Sequence, residues 1–363
     1  MVDAANANGF NTLLVQVRGR GDAYYASRLE PRAQALGGQP STFDPLRHTI
    51  DEARRVGIRV HAWICVGLVS SAVDLPRSRA HVVYRHPDWL MIPRGIAAEM
   101  RRIDPRSPGY LDKLARTVRQ QPSDIEGIYL SPVPTGAADY LAAVVAEIVS
   151  RYAIDGVHLD YARYPSEDFD YGRATLTEFA GQVRSRLART EWRLLQRKVA
   201  ADPFALVDRF PGQWREFRRD RLSALVQRIR AVVKARRPAA LLTAAVVPDP
   251  EQASATRLQD WRAWAARGAL DAVCPMAYAT DTDAFEEQVE AARHAAARVP
   301  VWAGIGAYRQ STAQTIESIH AARRLGAAGV VLFSYDSMVD ASSDGDALSE
   351  IGRAAFGPPP QRR

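Results

Sequence analysis

The stretch Asp155-Gly156-Val157-His158-Leu159-Asp160-Tyr161-Ala162-Arg163-Tyr164-Pro165 decides the fold. A turn glycine opens it and a proline closes it. Val157 and Leu159 alternate with Gly156, His158 and Asp160, so a strand here has one apolar and one polar face. A polar inner face ending in a carboxylate suits the C-terminal end of a strand in a parallel β/α barrel, where the active sites of that fold lie. A lone aspartate after a strand commonly caps the next helix. Here His158, Tyr161, Arg163 and Tyr164 crowd around it, which favours a site.

Outward from this strand, apolar runs alternate with helical stretches, the pattern of a parallel sheet with crossover helices. The runs are 12–17, 58–66, 128–131, 156–161, 241–247, 272–278, 301–305 and 329–334. Helical stretches occupy 45–55, with Thr42 or Asp44 as its cap, and 137–152, 310–325 and 347–355. Eight runs suggest a (β/α)8 TIM barrel. The run 128–131 is short, however, and ends a long connection that starts after Val66 and holds Trp89 and a helix at 110–120. It reads as an elaborated loop at the active face. Seven barrel strands then remain, and the first strand of the barrel would lie upstream of Met1.

The expected organisation is one barrel domain over residues 1–356. It carries a helical insertion, 166–213, over the barrel mouth, and a frayed Pro-rich tail at 357–363. The insertion is expected to hold a long helical stretch at 171–201, and a second at 214–236 continues into the crossover.

With 363 residues, 47% hydrophobic and 25% charged, the chain has the composition of a globular protein with a large core. No run approaches the roughly 18 apolar residues of a membrane span. No charged start followed by an apolar segment marks a signal peptide. The compartment is open, since an N-terminus beyond Met1 could carry a signal to a periplasmic or extracellular location. The net charge is +7, almost all of it from arginine. These arginines are interleaved with acids, and the densest group, 215–237, reads as the solvated face of a helix. Nucleic-acid binding would want a basic stripe with aromatic platforms, so it is not expected. Cys65 and Cys274 each sit in an apolar run and read as buried free thiols.

Strand parity places Arg18, His61, Trp63, His158, Asp160, Tyr278 and Trp302 on one axis. Barrel cores are usually filled by branched apolar residues. Polar groups mixed with aromatics suit a cleft for a carbohydrate, whose ring faces stack on aromatics and whose hydroxyls bond Arg, His and Asp. No nucleophile elbow and no Walker loop occurs. His61, His158 and Asp160 could be imagined as a metal set, but no zinc-ligand spacing supports it, and no cofactor is implied.

These residues resemble the glycosyl-hydrolase-like 10 family of bacterial TIM-barrel proteins. The resemblance runs through Asn11-Thr12-Leu13-Leu14-Val15-Gln16-Val17-Arg18, Asp22-Ala23-Tyr24-Tyr25-Ala26-Ser27, Phe43-Asp44-Pro45-Leu46 and Gly57-Ile58-Arg59-Val60-His61-Ala62-Trp63. It continues in His86-Pro87-Asp88-Trp89-Leu90, in 152–161, in Trp214-Arg215-Glu216-Phe217-Arg218-Arg219, in Gln259-Asp260-Trp261 and in Cys274-Pro275-Met276-Ala277-Tyr278. The family's leading Arg-Gly-Val-Trp strand is missing. Its Leu-Asn/Asp-Pro-Gly element appears as Leu130-Ser131-Pro132-Val133. The resemblance implies a barrel and carbohydrate hydrolysis, including that of a cell-wall glycan.

On this reading Asp160 is the nucleophile or base of a two-carboxylate glycosidase. Its partner acid lies about 5–5.5 Å away for retention or about 6.5–9.5 Å for inversion. Asp249, between Pro248 and Pro250, is the favoured partner, with a turn residue as the other reading of it. Glu251, Asp22, Asp281 and Asp336 also lie in strand-end loops. Arg18, Asp22, His61, His158 and Arg163 would hold hydroxyls or orient Asp160, while Trp63, Tyr161, Tyr278 and Trp302 would stack on sugar rings. Two rival readings are a non-catalytic carbohydrate-binding barrel and a metal- or phosphate-dependent barrel lyase or isomerase.

Overall fold

The computed structural model describes residues 1–121, 125–339 and 347–357. Nine strands occur among these residues: β1 (Thr12–Arg18), β2 (Arg59–Cys65), β3 (Leu68–Ser70), β4 (Ile128–Tyr129), β5 (Gly156–Asp160), β6 (Leu241–Val246), β7 (Ala272–Pro275), β8 (Trp302–Gly306) and β9 (Gly329–Phe333). β1, β2, β5, β6 and β7 pair in that order, all parallel. Parallel bridges from Val273 to Val301 and from Met276 to Gly304 carry the order on to β8, which pairs with β9. Seven parallel strands with intervening helices therefore form the α/β frame of a TIM barrel. Side chains meet across its axis. The Trp63 ring of β2 lies 5.8 Å from Phe333 of β9, and His61 of β2 lies 5.7 Å from Trp302 of β8. No ladder joins β9 to β1 among the described residues, and these two border strands are mostly half-buried, whereas β5, β6 and β7 are almost wholly buried.

Local sequence explains the strand starts. Asp155, just before β5, accepts the Val60 N–H through Oδ2 at 2.8 Å, and Asp271, just before β7, accepts the Leu242 N–H at 2.7 Å. Each carboxylate ties its own strand to the preceding neighbour and satisfies a backbone donor that would otherwise be orphaned. Asp44 caps helix Pro45–Val56 by accepting the Arg47 N–H, with Pro45 at the first helical position. Gly57 ends that helix at φ +74, a left-handed conformation that glycine adopts without cost.

The short run 128–131 is not a barrel strand. β4 pairs antiparallel with β3, and Leu90 bridges Leu130, so the connection between β2 and β5 folds into its own small sheet. The stretch 171–201 is also not one helix. It breaks at Leu187 and Ala188, both extended, into helices Arg173–Arg186 and Arg189–Ala201. Helix Ala205–Arg209 follows, and the long crossover helix Pro211–Arg236 begins inside the span assigned to the insertion. The insertion docks on the β2–β5 connection: the Tyr171 N–H donates to the Ile92 carbonyl, and Arg94 pairs with Asp208 at 2.6 Å. An aromatic cluster of Tyr171, Phe179, Trp214 and Phe217 anchors it. Arg218 does not belong to a solvated face. It is 2% exposed, lies 4.7 Å over Trp214, and donates to the carbonyls of Glu167 and Phe169.

Cys65 and Cys274 are buried free thiols. No described helix is long and apolar enough to cross a membrane. The last helix, Ala347–Ile351, continues as a wider turn to Phe356, whose ring packs edge-on against Phe10 at 5.0 Å. Apart from Gly357, the tail 357–363 lies outside the described residues.

Candidate active site

Asp160 is the last residue of β5, level with Cys65 of β2. Its Oδ2 accepts the Trp63 indole N–H at 3.1 Å, and its Oδ1 accepts the Tyr161 backbone N–H at 2.7 Å. Tyr161 has φ +50, a left-handed conformation that an aromatic residue rarely adopts. Strain of this kind at a strand end accompanies functional sites. Burial pushes the Asp160 carboxyl above the ordinary range. The Arg163 charge and the two donors pull it back, and the charge of Glu126 adds to the rise.

Glu126 lies on the β2–β5 connection, just before β4. Arg163 Nη2 donates to Glu126 Oε1 at 2.8 Å, and the Tyr129 hydroxyl donates to Glu126 Oε2 at 2.6 Å. The Arg163 guanidinium lies 4.5 Å over the Tyr161 ring, and its Nε and Nη1 are buried without a partner. The guanidinium thus bonds Glu126 and acts on Asp160 through its charge. Reading strands alone misses Glu126, because a folded loop brings it in. The available signal was its place two residues before the run assigned to the active face.

Aromatic rings line the same mouth. Tyr278 stacks on Phe333 at 6.1 Å with an interplanar angle of 9°, Trp63 meets Phe333 edge-on, and Tyr308 is edge-on to both Tyr278 and Phe333. Burial, and then the Asp160 charge, push the Tyr278 phenol up. On the β1 side, Gln16 Nε2 reaches Cys65 Sγ at 3.5 Å. Asp22 accepts the Arg20 N–H at 2.9 Å in the loop after β1. A Cβ added at Gly19 would touch Asp22, Gln16 and Tyr24, so these three surround that turn.

Other expected site residues lie elsewhere. Arg18 is fully buried and committed to partners within the protein. Its Nε donates to both Glu30 oxygens, at 2.8 and 3.1 Å, and Nη1 donates to the Cys65 carbonyl. The cause is a register shift at Val17: Gln16 pairs with Trp63, but Arg18 pairs with Ile64 rather than Cys65, so alternation breaks. His61 and Trp302 face inward at the wrong depth. His61 is level with Gly156, four residues and therefore about 13 Å below Asp160. Trp302 opens β8 at the same low end. His158 is buried at the level of Trp63, with Nδ1 at 2.9 Å from Thr243 Oγ1. Burial lowers His61 to about 4 and His158 to about 3, so both are neutral at neutral pH. Both are buried below the level of Asp160. Asp249 is exposed and accepts the Glu251 and Gln252 N–H groups as the cap of helix Pro250–Thr256, which is the turn-residue role. Asp281 likewise caps helix Thr282–Ala296, and Glu251 pairs with Arg262 at 2.6 Å. Asp336 is exposed in helix Tyr335–Val339. No group of three His, Cys, Asp or Glu side chains among the described residues could hold a metal.

The chain matches known proteins in both sequence and shape. Residues 1–321 match the profile of the family described as Glycosyl hydrolase-like 10. The chain belongs to this family. Within the glycosyl hydrolase-like 10 family and its surroundings, the chain is 26% identical over 243 residues to Glycosyl hydrolase YngK of Bacillus subtilis (strain 168), covering 66% of this chain and 37% of the relative. It is 26% identical over 201 residues to Glycosyl hydrolase DigH of Escherichia coli (strain K12), covering 51% and 38%. The chain thus spans well under half the length of these relatives. In shape it is similar to the PgaB (BpsB) glycoside hydrolase domain from Bordetella bronchiseptica, with TM-score 0.67 and 14% identity over 98% of this chain and 91% of that one. It is also similar to a β-galactosidase from Bacillus circulans, with TM-score 0.60 and 13% identity over 98% and 52%. These likenesses establish the fold that the glycosyl hydrolase-like 10 resemblance implies.

Proposed function

We propose that this chain is a glycoside hydrolase that cleaves a polysaccharide or cell-wall glycan with two carboxylates, Asp160 and Glu126. The observation that carries the reading is the pairing of these acids across Arg163 at the mouth of the frame. A glycosidase needs one carboxyl that holds a proton near neutral pH and one that stays charged. The raised proton affinity of Asp160 supports the donor role, rather than the nucleophile or base role its position alone suggests. Glu126, held by Arg163 and Tyr129, supports the anionic role, as base toward water or as nucleophile. Trp63, Tyr161 and Tyr278 supply ring faces for the sugar.

The test is turnover of a panel of polysaccharides and peptidoglycan glycan by wild type, Asp160→Asn, Glu126→Gln and Asp249→Asn. The first two are expected to lose about 10²–10⁴ in kcat, the usual share of a general acid or base. Asp249→Asn keeps a capping oxygen and is expected to retain activity. A loss equal to that of Asp160→Asn would return the partner role to Asp249. Unchanged turnover in Asp160→Asn defeats the scheme, and glycan binding without any wild-type turnover supports the carbohydrate-binding barrel instead.

A further inference from the structure

Helix Arg189–Ala201 of the insertion carries a face that the fold does not use. Its Trp192, Leu195 and Val199 recur at helical spacing and pack against the core. Leu194 lies outside that stripe, about 200° round the helix from Trp192. It is 75% exposed. Arg189, Arg193 and Arg197 follow one another at i, i+4 spacing and line one exposed stripe beside Leu194, with exposed Lys198 on its other side. None of these four cations has an ion-pair partner among the described residues. On the crossover helix Pro211–Arg236, by contrast, Arg215, Arg219, Arg221, Arg228 and Arg230 each pair with an acid. The one acid of the basic helix, Glu191, turns to its N-terminus and accepts the Ala188 N–H at 3.2 Å. Like charges four residues apart repel, so the stripe costs the bare helix stability, and an anionic surface removes that cost. Arg189 and Arg193 also line a cleft of about 480 Å³ with Arg184, Leu187, Trp192 and Gln196. This lining holds three guanidiniums and no carboxylate.

We infer that this face docks on an anionic phospholipid surface, with helix Arg189–Ala201 lying along the headgroups. The inference stands apart from the glycosidase reading above. Charge complementarity fixes the sign of the occupant, because the face presents cations that no acid of the described chain neutralises. A headgroup phosphate enters the cleft of Arg184, Arg189 and Arg193, whose planar forks match its oxygens. Leu194 decides between a lipid and a soluble anion. An exposed leucine among four cations gains nothing from a soluble anion. It is buried when a basic helix settles at the boundary between headgroups and acyl chains.

Partitioning of the full chain is measured by vesicle flotation at low salt. The probes are vesicles of phosphatidylcholine alone and of phosphatidylcholine mixed equally with phosphatidylglycerol. The chain is expected to float with the anionic vesicles and not with the neutral ones. Arg189→Gln, Arg193→Gln and Arg197→Gln together should lower the anionic partition coefficient by about tenfold or more, since each basic residue near the surface adds to the attraction. Leu194→Gln leaves the charge intact and should lower it by about threefold or more. Arg102→Gln, Arg116→Gln and Arg119→Gln together remove the same charge from exposed positions elsewhere and should change it little. All these positions are exposed, so each variant should keep the wild-type Tm and circular dichroism. Equal partitioning into both kinds of vesicle, an equal loss in the control triple, or an undiminished value in Leu194→Gln each overturns the inference. Binding to soluble polyglutamate or to inorganic phosphate without binding to vesicles overturns it too, and moves the face to an acidic polypeptide or a free anion.

Discussion

Trp63 and Asp160 lie on neighbouring parallel strands, two register steps apart, and the indole Nε1 of one donates to Oδ2 of the other at 3.1 Å. The carboxylate that burial disfavours is thereby held in place by a rigid donor whose ring is itself fixed against Phe333. Removing the donor without removing the ring isolates its contribution. Trp63→Phe should raise the Asp160 pKa further, because the indole favours the charged form. A hydrogen bond to a charged group is worth about 1.5–3 kcal/mol, so the shift is on the order of one to two pH units. The limb of the pH–rate profile set by Asp160 should move to higher pH.

Glu126→Gln should move that same limb the other way. The Glu126 charge raises the Asp160 pKa, so its neutralisation lets the Asp160 proton leave at lower pH. Opposite displacements in the two variants would place both groups around one carboxyl. Displacement in the same direction would mean that Glu126 acts on something else.

Gly127→Ala tests whether the β3–β4 pairing presents Glu126. An added Cβ would stand 2.1 Å from the Ser70 carbonyl oxygen, inside the pairing of β3 with β4. That contact cannot be accommodated by a side-chain rotation, so the segment carrying Glu126 must shift. Turnover should fall nearly as far as in Glu126→Gln, with a stability loss of about 1–3 kcal/mol in chemical denaturation. Intact turnover would remove Glu126 from the site.

Asp170 gives a stability signature separate from catalysis. It is fully buried, receives the hydroxyls of Ser131 and Thr175, and burial raises its pKa to about 6 despite these two bonds. A folded pKa above the unfolded one means that the folded state binds the proton more tightly. The group therefore costs stability above pH 6, and this cost disappears as pH falls through 6 toward 3.8. Asp170→Asn should raise Tm at pH 8, by less at pH 5, and by almost nothing below pH 4. A rise that is equal at every pH would show that the carboxyl titrates as it does in the unfolded chain.

By itself the sequence determined the strand-and-crossover frame and the place of Asp160 in it. Alternation of Val157 and Leu159 with His158 and Asp160 is a local property, because side chains along a strand must point to opposite faces. It also exposed the run 128–131 as foreign to the barrel, since its length and the long connection before it are visible in one dimension. What only the tertiary structure decided was depth, register and company. Parity puts His61, Trp302 and Asp160 on one face but says nothing of the distance along the strand axis that separates them. The shift at Val17 that turns Arg18 toward Glu30 comes from pairing with β2, which no single strand encodes. Glu126 meets Arg163 only because β3 and β4 pair across the long connection between β2 and β5. Burial raises the proton affinity of Asp160, and burial is a property of packing, not of residue order.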